Sequence, residues 1–228
     1  MNGYGWLGLL VALMLHPLAG LAESVKITPD LGSFTIRHGD RSVTVTRDQN
    51  PRGVIDPDFA KTSRNCPPFC IQSMEAAPGV KTIGELELID FMKREVNGGT
   101  GLLVDARTPD WHARGVIPGS INIPYTEITP SKGANPLDVE RSLTRCGAVR
   151  QADGTWDFSQ AKNLAVWCNG PWCGQSHAAI QGFREMHYPA EKLLYYRGGM
   201  QLWKLFGLTV VPPMAEASAE KGPLTKAR

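Results

Sequence analysis

From position 81 onward, short apolar runs alternate with longer stretches of helical spacing. Leu86, Leu88, Ile89 and Met92 suit one face of a helix ending near Asn97-Gly98-Gly99. Thr82-Ile83-Gly84-Glu85 in front of it has the spacing of a capping box. Gly101-Leu102-Leu103-Val104 predicts a short buried strand, 109–114 a helical turn or two, and Ser120-Ile121-Asn122-Ile123 a strand ended by Pro124. A helix is expected over 137–146, a turn at Asp153-Gly154, and a buried strand over Asn163-Leu164-Ala165-Val166-Trp167. Over 175–187, Ala179, Ile180, Phe183 and Met186 share one helical face before Pro189. Leu193-Leu194-Tyr195-Tyr196 predicts the last strand, and a final helix opens at Gly199 or Met200 and runs through Phe206. Strands separated by helices predict an α/β fold: a mostly parallel central sheet with helices on both faces.

Upstream the period changes to two. Ser33-Phe34-Thr35-Ile36-Arg37 and Ser42-Val43-Thr44-Val45-Thr46 alternate and are rich in β-branched residues, with His38-Gly39-Asp40-Arg41 as the turn. That is a hairpin. Two strands alone are marginally stable, so the hairpin is expected to pack on the larger domain. Residues 50–57 read as loop and 62–79 as a Pro-punctuated linker carrying Cys66 and Cys70. The expected layout is a targeting segment at 1–22, a small β-rich N-terminal extension and Cys-containing linker at 23–80, the α/β domain at 81–212, and a flexible tail at 213–228.

Composition narrows the partners. A 228-residue chain that is 42% hydrophobic can bury a substantial core. Its 24 basic and 22 acidic side chains leave a charge of +2, which argues against a nucleic-acid partner. The first 22 residues contain no Asp, Glu, Lys or Arg, are apolar over 6–15, and end in Gly20-Leu21-Ala22. This is the pattern of a secretory signal cut between Ala22 and Glu23. The alternative is an uncleaved anchor, since no Lys or Arg precedes the apolar run. With cleavage the protein is expected to be periplasmic or secreted, with no stable membrane insertion.

Five cysteines remain: Cys66, Cys70, Cys146, Cys168 and Cys173. In an oxidising compartment thiols tend to be paired or functional. A Cys66–Cys70 disulfide would pin a tight bend. Cys168–Cys173 is a second possible pair. Neither pair has zinc-finger spacing with matching His residues, so no metal site and no cofactor is expected. Cys146 reads as a buried free thiol.

Cys168 lies at the end of a predicted buried strand, followed by Asn169, Gly170, Pro171, Trp172, Cys173 and Gly174 and then a helix start at Gln175 and Ser176. In open α/β sheets ligands gather beyond the carboxyl ends of strands. Loop amides and a helix N-terminus stabilise negative charge there, so a Cys168 thiolate would be nucleophilic without a neighbouring histidine. Gly170 and Gly174 allow close backbone approach, and Trp172 is a candidate lid or recognition surface. Trp167, Trp111 and His112 read as core, His38 and His187 as exposed, and Lys192 and Lys204 as solvated.

Three stretches in order resemble the rhodanese (sulfurtransferase) domains. Leu103-Val104-Asp105-Ala106-Arg107-Thr108-Pro109, continuing through Gly115-Val116-Ile117-Pro118-Gly119-Ser120, is similar to one family signature. Val166-Trp167-Cys168 with its loop is similar to the active-site loop. Gly198-Gly199-Met200-Gln201-Leu202-Trp203 and Gly207-Leu208-Thr209-Val210 resemble the C-terminal signature. The resemblance implies a rhodanese-like domain over 81–212 that moves sulfane sulfur through a persulfide on Cys168. Its implied partners are a small sulfur-containing donor and a thiol or cyanide-like acceptor. It also implies that Asp105 and Arg107 support the loop as an ion pair beneath or beside it. The family often carries Arg or Lys five residues after the nucleophile, where this chain has Cys173, which puts thiosulfate itself in question as donor. Val116 and Thr209 are lesser departures. Cys173 stays open between a resolving thiol, an oxidisable lock and a buried half-cystine. Two rival functions stay open with it: a periplasmic thiol–disulfide oxidoreductase using Cys168 and Cys173, with a periplasmic redox protein as partner, and a catalytically silent binding module.

Overall fold

The computed structural model describes residues 24–214. The targeting segment expected at 1–22 and the tail beyond 214 lie outside the described residues. In chain order the strands and helices are β1 (Ser33–His38), β2 (Arg41–Thr46), α1 (Pro57–Ala60), β3 (Lys81–Ile83), α2 (Glu85–Phe91), β4 (Gly101–Asp105), α3 (Pro109–His112), β5 (Ser120–Asn122), α4 (Tyr125–Ile128), α5 (Pro136–Arg145), β6 (Val149–Arg150), β7 (Trp156–Asp157), β8 (Asn163–Trp167), α6 (Gln175–Glu185), β9 (Leu193–Tyr196) and α7 (Gly199–Leu205). Five strands form one sheet in the order β3-β9-β8-β4-β5, and every neighbouring pair is parallel. Among the described residues no helix is long and apolar enough to cross a membrane.

Alternation along the strands divides the core into two layers, as expected for a sheet buried on both faces. Val104, Leu164, Val166 and Tyr195 face Ile128 of α4, Val139 and Leu143 of α5, and Ala179, Ile180 and Phe183 of α6. Leu103, Ala165, Trp167 and Tyr196 face Leu88 and Ile89 of α2 and Met200 and Trp203 of α7. The β1–β2 hairpin joins this second layer through Phe34, Ile36 and Val45. Burying such a side chain contributes about 1.5–3 kcal/mol, so the hairpin is built into the core.

Several expectations change. Thr82 lies in β3, paired with Tyr195, and its hydroxyl bonds to the Met74 carbonyl. The cap of α2 is formed instead by the Gly84 N–H donating to Glu87 Oε2 at 3.0 Å. Pairing with β9 supplies Thr82 with better partners than a helix start would. α2 continues as a π-helical stretch, Met92–Val96, that keeps Met92 buried. His38 is buried, not exposed. Its Nδ1 accepts from the Gly119 N–H at 3.1 Å, which leaves Nε2–H to donate to the Pro212 carbonyl at 2.9 Å. Burial lowers its pKa, so it ties the hairpin to both segments as a neutral ring. Lys204 pairs with Asp56, and Lys192 donates to the Ala161 carbonyl at 2.5 Å, so neither is simply solvated.

Candidate active site

β8 is the central strand, and Cys168 follows its last residue. The chain then turns sharply: Gly170 takes φ +154°, and the Cys173 N–H donates to the Gly170 carbonyl at 2.9 Å. α7 buttresses the turn from below. The N–H groups of Met200 and Gln201 donate to the carbonyls of Cys168 and Asn169, each at 2.9 Å. Gly199, at φ +56°, makes that approach possible, because a Cβ there would lie 2.3 Å from the Cys168 carbonyl oxygen. Gly174, by contrast, has an ordinary φ of −82°. A Cβ there would meet the Gln72 amide at an ordinary contact distance of 3.5 Å, so neither conformation nor space demands glycine at this position.

Cys168 is only 2% exposed. Burial alone would raise its pKa, but hydrogen bonds from the Cys173 thiol, the Ser176 hydroxyl and the backbone N–H groups of Ser176 and Gly170 bring it down to about 7. The Ser176 Oγ lies 3.1 Å from the sulfur. In the thiol form the same sulfur donates to the Cys173 carbonyl at 3.1 Å. The Cys173 thiol is pushed well up, first because it donates to Cys168 and then by burial. Cys168 therefore carries the charge and Cys173 keeps the proton. The two are separate thiols, so the possible Cys168–Cys173 disulfide is not formed in this structure. The Cys173 thiol instead hydrogen-bonds to the Cys168 sulfur. Cys146 is buried and free, its pKa pushed up to about 12 by desolvation.

Beneath the loop lie Asp105 and Arg107, both buried. Arg107 Nε donates to Asp105 Oδ1 at 2.8 Å and Nη2 to Oδ2 at 2.7 Å, a bidentate pair. Arg107 Nη2 also donates to the Gly115 carbonyl at 2.8 Å, and Nη1 reaches Asn169 Oδ1 at 3.5 Å. Its guanidinium covers the Trp167 ring at 4.5 Å. His112, expected in the core, is partly exposed and places Nδ1 2.8 Å from Asp105 Oδ2. Despite full desolvation, these hydrogen bonds hold the Asp105 carboxyl below its ordinary pKa.

Above the loop lies the linker, where Cys66 and Cys70 form a disulfide with Cα atoms 4.6 Å apart. Its bend covers Trp172: Phe69 meets the ring edge-on at 5.6 Å, and the Arg64 guanidinium lies 3.6 Å over it. The Gln72 N–H donates to the Pro171 carbonyl at 2.8 Å. Trp172 Nε1 in turn donates to Gln201 Oε1 at 2.9 Å.

The sequence-predicted residues Cys168, Asn169, Gly170, Pro171, Trp172, Cys173, Gly174, Asp105 and Arg107 thus come together at one rim of the sheet. Sequence reasoning missed the Ser176 hydroxyl, His112 as a partner of Asp105, and the roof formed by Arg64, Phe69 and Gln72. Ser176 had a signal, since it stands in the first turn of the helix after the loop. Among the described residues no group of three or more His, Cys, Asp or Glu side chains is arranged to hold a metal ion. A cavity of about 600 Å³ lined by Trp156, Phe158 and Met186 includes no residue of the Cys168 loop.

The family model described as "Rhodanese-like domain" matches residues 88–205, just over half of the chain. No curated protein matches. Among solved structures, the chain is similar to BH2092 from Bacillus halodurans at 19% identity, covering 58% of this chain and 77% of that one with a TM-score of 0.42. It is similar to the human single-domain sulfurtransferase TSTD1 at 22% identity, covering 55% of this chain and 96% of that one with a TM-score of 0.37. A rhodanese-related protein from Thermoplasma volcanium matches at 23% identity over 57% of this chain and 97% of that one, with a TM-score of 0.36.

Proposed function

The chain belongs to the rhodanese-like domain family, and from that premise we propose that it is a sulfurtransferase working through a Cys168 persulfide. The observation that carries the reading is one buried sulfur facing the N–H groups of Gly170 and Ser176 and the Ser176 hydroxyl, with a pKa near 7. The thiolate attacks the outer sulfur of a small donor such as thiosulfate. The donor's S–S bond breaks, sulfite leaves with the electron pair, and a persulfide anion remains on Cys168. A thiol or cyanide-like acceptor then attacks the outer sulfur, and the Cys168 thiolate leaves. The loop amides and the α6 N-terminus favour negative charge before and after the first step. We place the protein in the periplasm or outside the cell, because the charge-free apolar start and a Cys66–Cys70 disulfide suit an oxidising compartment.

Intact mass before and after thiosulfate tests the proposal. The wild-type protein should gain one sulfur, localised to Cys168, and pass it to cyanide. Cys168→Ser should gain none, and a Cys168→Ser protein that still produced thiocyanate would refute the reading. No adduct on the wild type would favour a silent binding module.

The Cys173 thiol bonded to Cys168 favours a second reading. Attack by Cys173 on the inner persulfide sulfur would expel hydrosulfide and leave a Cys168–Cys173 disulfide, which a dithiol redox protein would then reduce. Cys173→Ser separates the two: sulfur transfer to cyanide survives the substitution, whereas dithiol exchange does not.

A further inference from the structure

Among the described residues, five buried side-chain polar atoms have no hydrogen-bond partner: Arg64 Nε, Gln175 Oε1, His177 Nδ1, Tyr195 OH and Arg197 Nε. Protein interiors leave few such atoms, and each calls for an explanation. Of these five residues only Tyr195 is wholly buried. Its hydroxyl has lost bulk water without gaining a partner.

The fold brings this hydroxyl to the Cys168 loop. β9 pairs with β8 so that Tyr195 lies beside Val166, and both side chains enter the same core layer. Cys168 comes two positions after Val166, and alternation returns its side chain to that side of the sheet. Its 3.1 Å contact with Ser176 of α6 agrees. The Tyr195 ring reaches the same helical turn, standing edge-on to His177 at 4.7 Å. The charged and titratable groups around the phenol are Cys168, Cys173 and Arg197, with His177 against the ring. Ser176 faces it too, but its hydroxyl is engaged with the Cys168 sulfur. Burial first, and then the Cys168 charge, push the Tyr195 pKa up, so the phenol keeps its proton where Cys168 ionises.

The resting thiolate does not need this donor. The Cys173 thiol, the Ser176 hydroxyl and the N–H groups of Ser176 and Gly170 already converge on its sulfur. In a persulfide the charge moves to an outer sulfur about 2 Å further along the chain of bonds. Those four donors are placed for the inner sulfur, and the outer one needs its own.

We propose that the Tyr195 hydroxyl is held unpaired in the resting protein and donates its hydrogen bond to the outer sulfur of the Cys168 persulfide. The inference rests on the sulfurtransferase reading and adds to it a residue that touches the transferred atom.

The test uses Tyr195→Phe in the full chain, which keeps the ring and deletes the hydroxyl. The persulfide is loaded in two ways, from thiosulfate and from sodium tetrasulfide. In the second, the Cys168 thiolate attacks a terminal sulfur, one S–S bond breaks, and trisulfide leaves with the electron pair. Iodoacetamide alkylation followed by intact mass then gives separate pH profiles for the thiol and for the persulfide. Tyr195→Phe should raise the persulfide inflection by about one pH unit, a tenfold change from one hydrogen bond to a charged group. The thiol inflection should stay within about 0.3 unit, and the denaturant midpoint should hold, because deleting an unpaired buried hydroxyl removes no bond. A purely structural tyrosine would not separate the two profiles. An unmoved persulfide inflection overturns the proposal, as does a thiol inflection that moves equally. A Tyr195→Phe protein that unfolds much earlier also overturns it, because the hydroxyl would then be paired at rest. A shifted profile in protein that loads from tetrasulfide but not from thiosulfate upholds the Tyr195 contact and defeats the thiosulfate-type sulfurtransferase reading. A wild-type protein that loads from neither overturns both.

Discussion

Beneath the Cys168 loop, Asp105 and Arg107 are buried and bound to each other through three hydrogen bonds, with His112, Asn122 and the Gly115 carbonyl completing the set. Above it, Arg64, Phe69 and Gln72 touch the loop from a segment whose Phe69, Ile71 and Met74 stand 41%, 86% and 62% exposed. The floor is costly to disturb because its charges have lost water and depend on fixed partners within the protein. The roof makes a few contacts from a largely exposed segment, and such segments open at low free energy. Floor residues should therefore act through stability and loop shape, and roof residues through access to the sulfur.

The largest effect tests the floor. Asp105→Ala leaves the Arg107 guanidinium buried without its counter-charge. We expect a loss of about 3–5 kcal/mol in denaturant unfolding. The double change Asp105→Leu with Arg107→Met should recover much of it, since apolar replacement of a whole buried pair is often near neutral. A loss below about 1 kcal/mol in Asp105→Ala would mean that water reaches the pair and that floor and roof do not differ as argued.

This contrast also marks what the sequence could express. Four of the five strands of the sheet were legible because they are short apolar runs between helical periods, whereas β3, only three residues long, was not. Cys168 was legible because it ends one of those runs. α4 was not: four residues after Pro124 cannot show a period. The Thr82-to-Glu85 spacing misled because strand pairing with β9 outcompetes a local cap. His38 looked like an exposed turn residue, but its partners at Gly119 and Pro212 are distant in the chain. The floor could be inferred only through resemblance, and the roof not at all, because Gln72 meets Pro171 nearly a hundred positions away. Local pattern carries the scaffold, whereas contacts that choose among folded neighbours leave no periodic trace.

A middle-sized effect concerns the loop itself. Alkylation of Cys168 by iodoacetamide should rise with pH and level off above an inflection near 7, while Cys146, at about 12, stays unreactive. Because folding lowers the Cys168 pKa, the thiolate's contribution to stability is complete above the unfolded thiol range. It is lost as pH falls through about 7. Ser176→Ala removes one hydrogen bond to the charged form and should raise the inflection by about one pH unit. An unmoved inflection would leave the backbone N–H groups and Cys173 as the sole stabilisers.

The smallest effect bears on the roof and reads out as reactivity. Phe69→Ala deletes the edge-on contact with Trp172 but keeps the Cys66–Cys70 bridge and the Gln72–Pro171 bond. An aromatic pair of this kind contributes about 0.5–1.5 kcal/mol. If iodoacetamide reaches Cys168 only when the bend lifts, the open population and the alkylation rate should grow by that energy, about two- to tenfold. Global unfolding should shift by less than about 1 kcal/mol, since Phe69 is already 41% exposed. Reducing the Cys66–Cys70 disulfide should act in the same direction, because the bend then loses the link that keeps Phe69 and Arg64 over the Trp172 ring. Equal alkylation rates in wild type and Phe69→Ala would show that the sulfur is reached by another path. The bend would then cover Trp172 without controlling Cys168, and the division of labour between floor and roof would have to be redrawn.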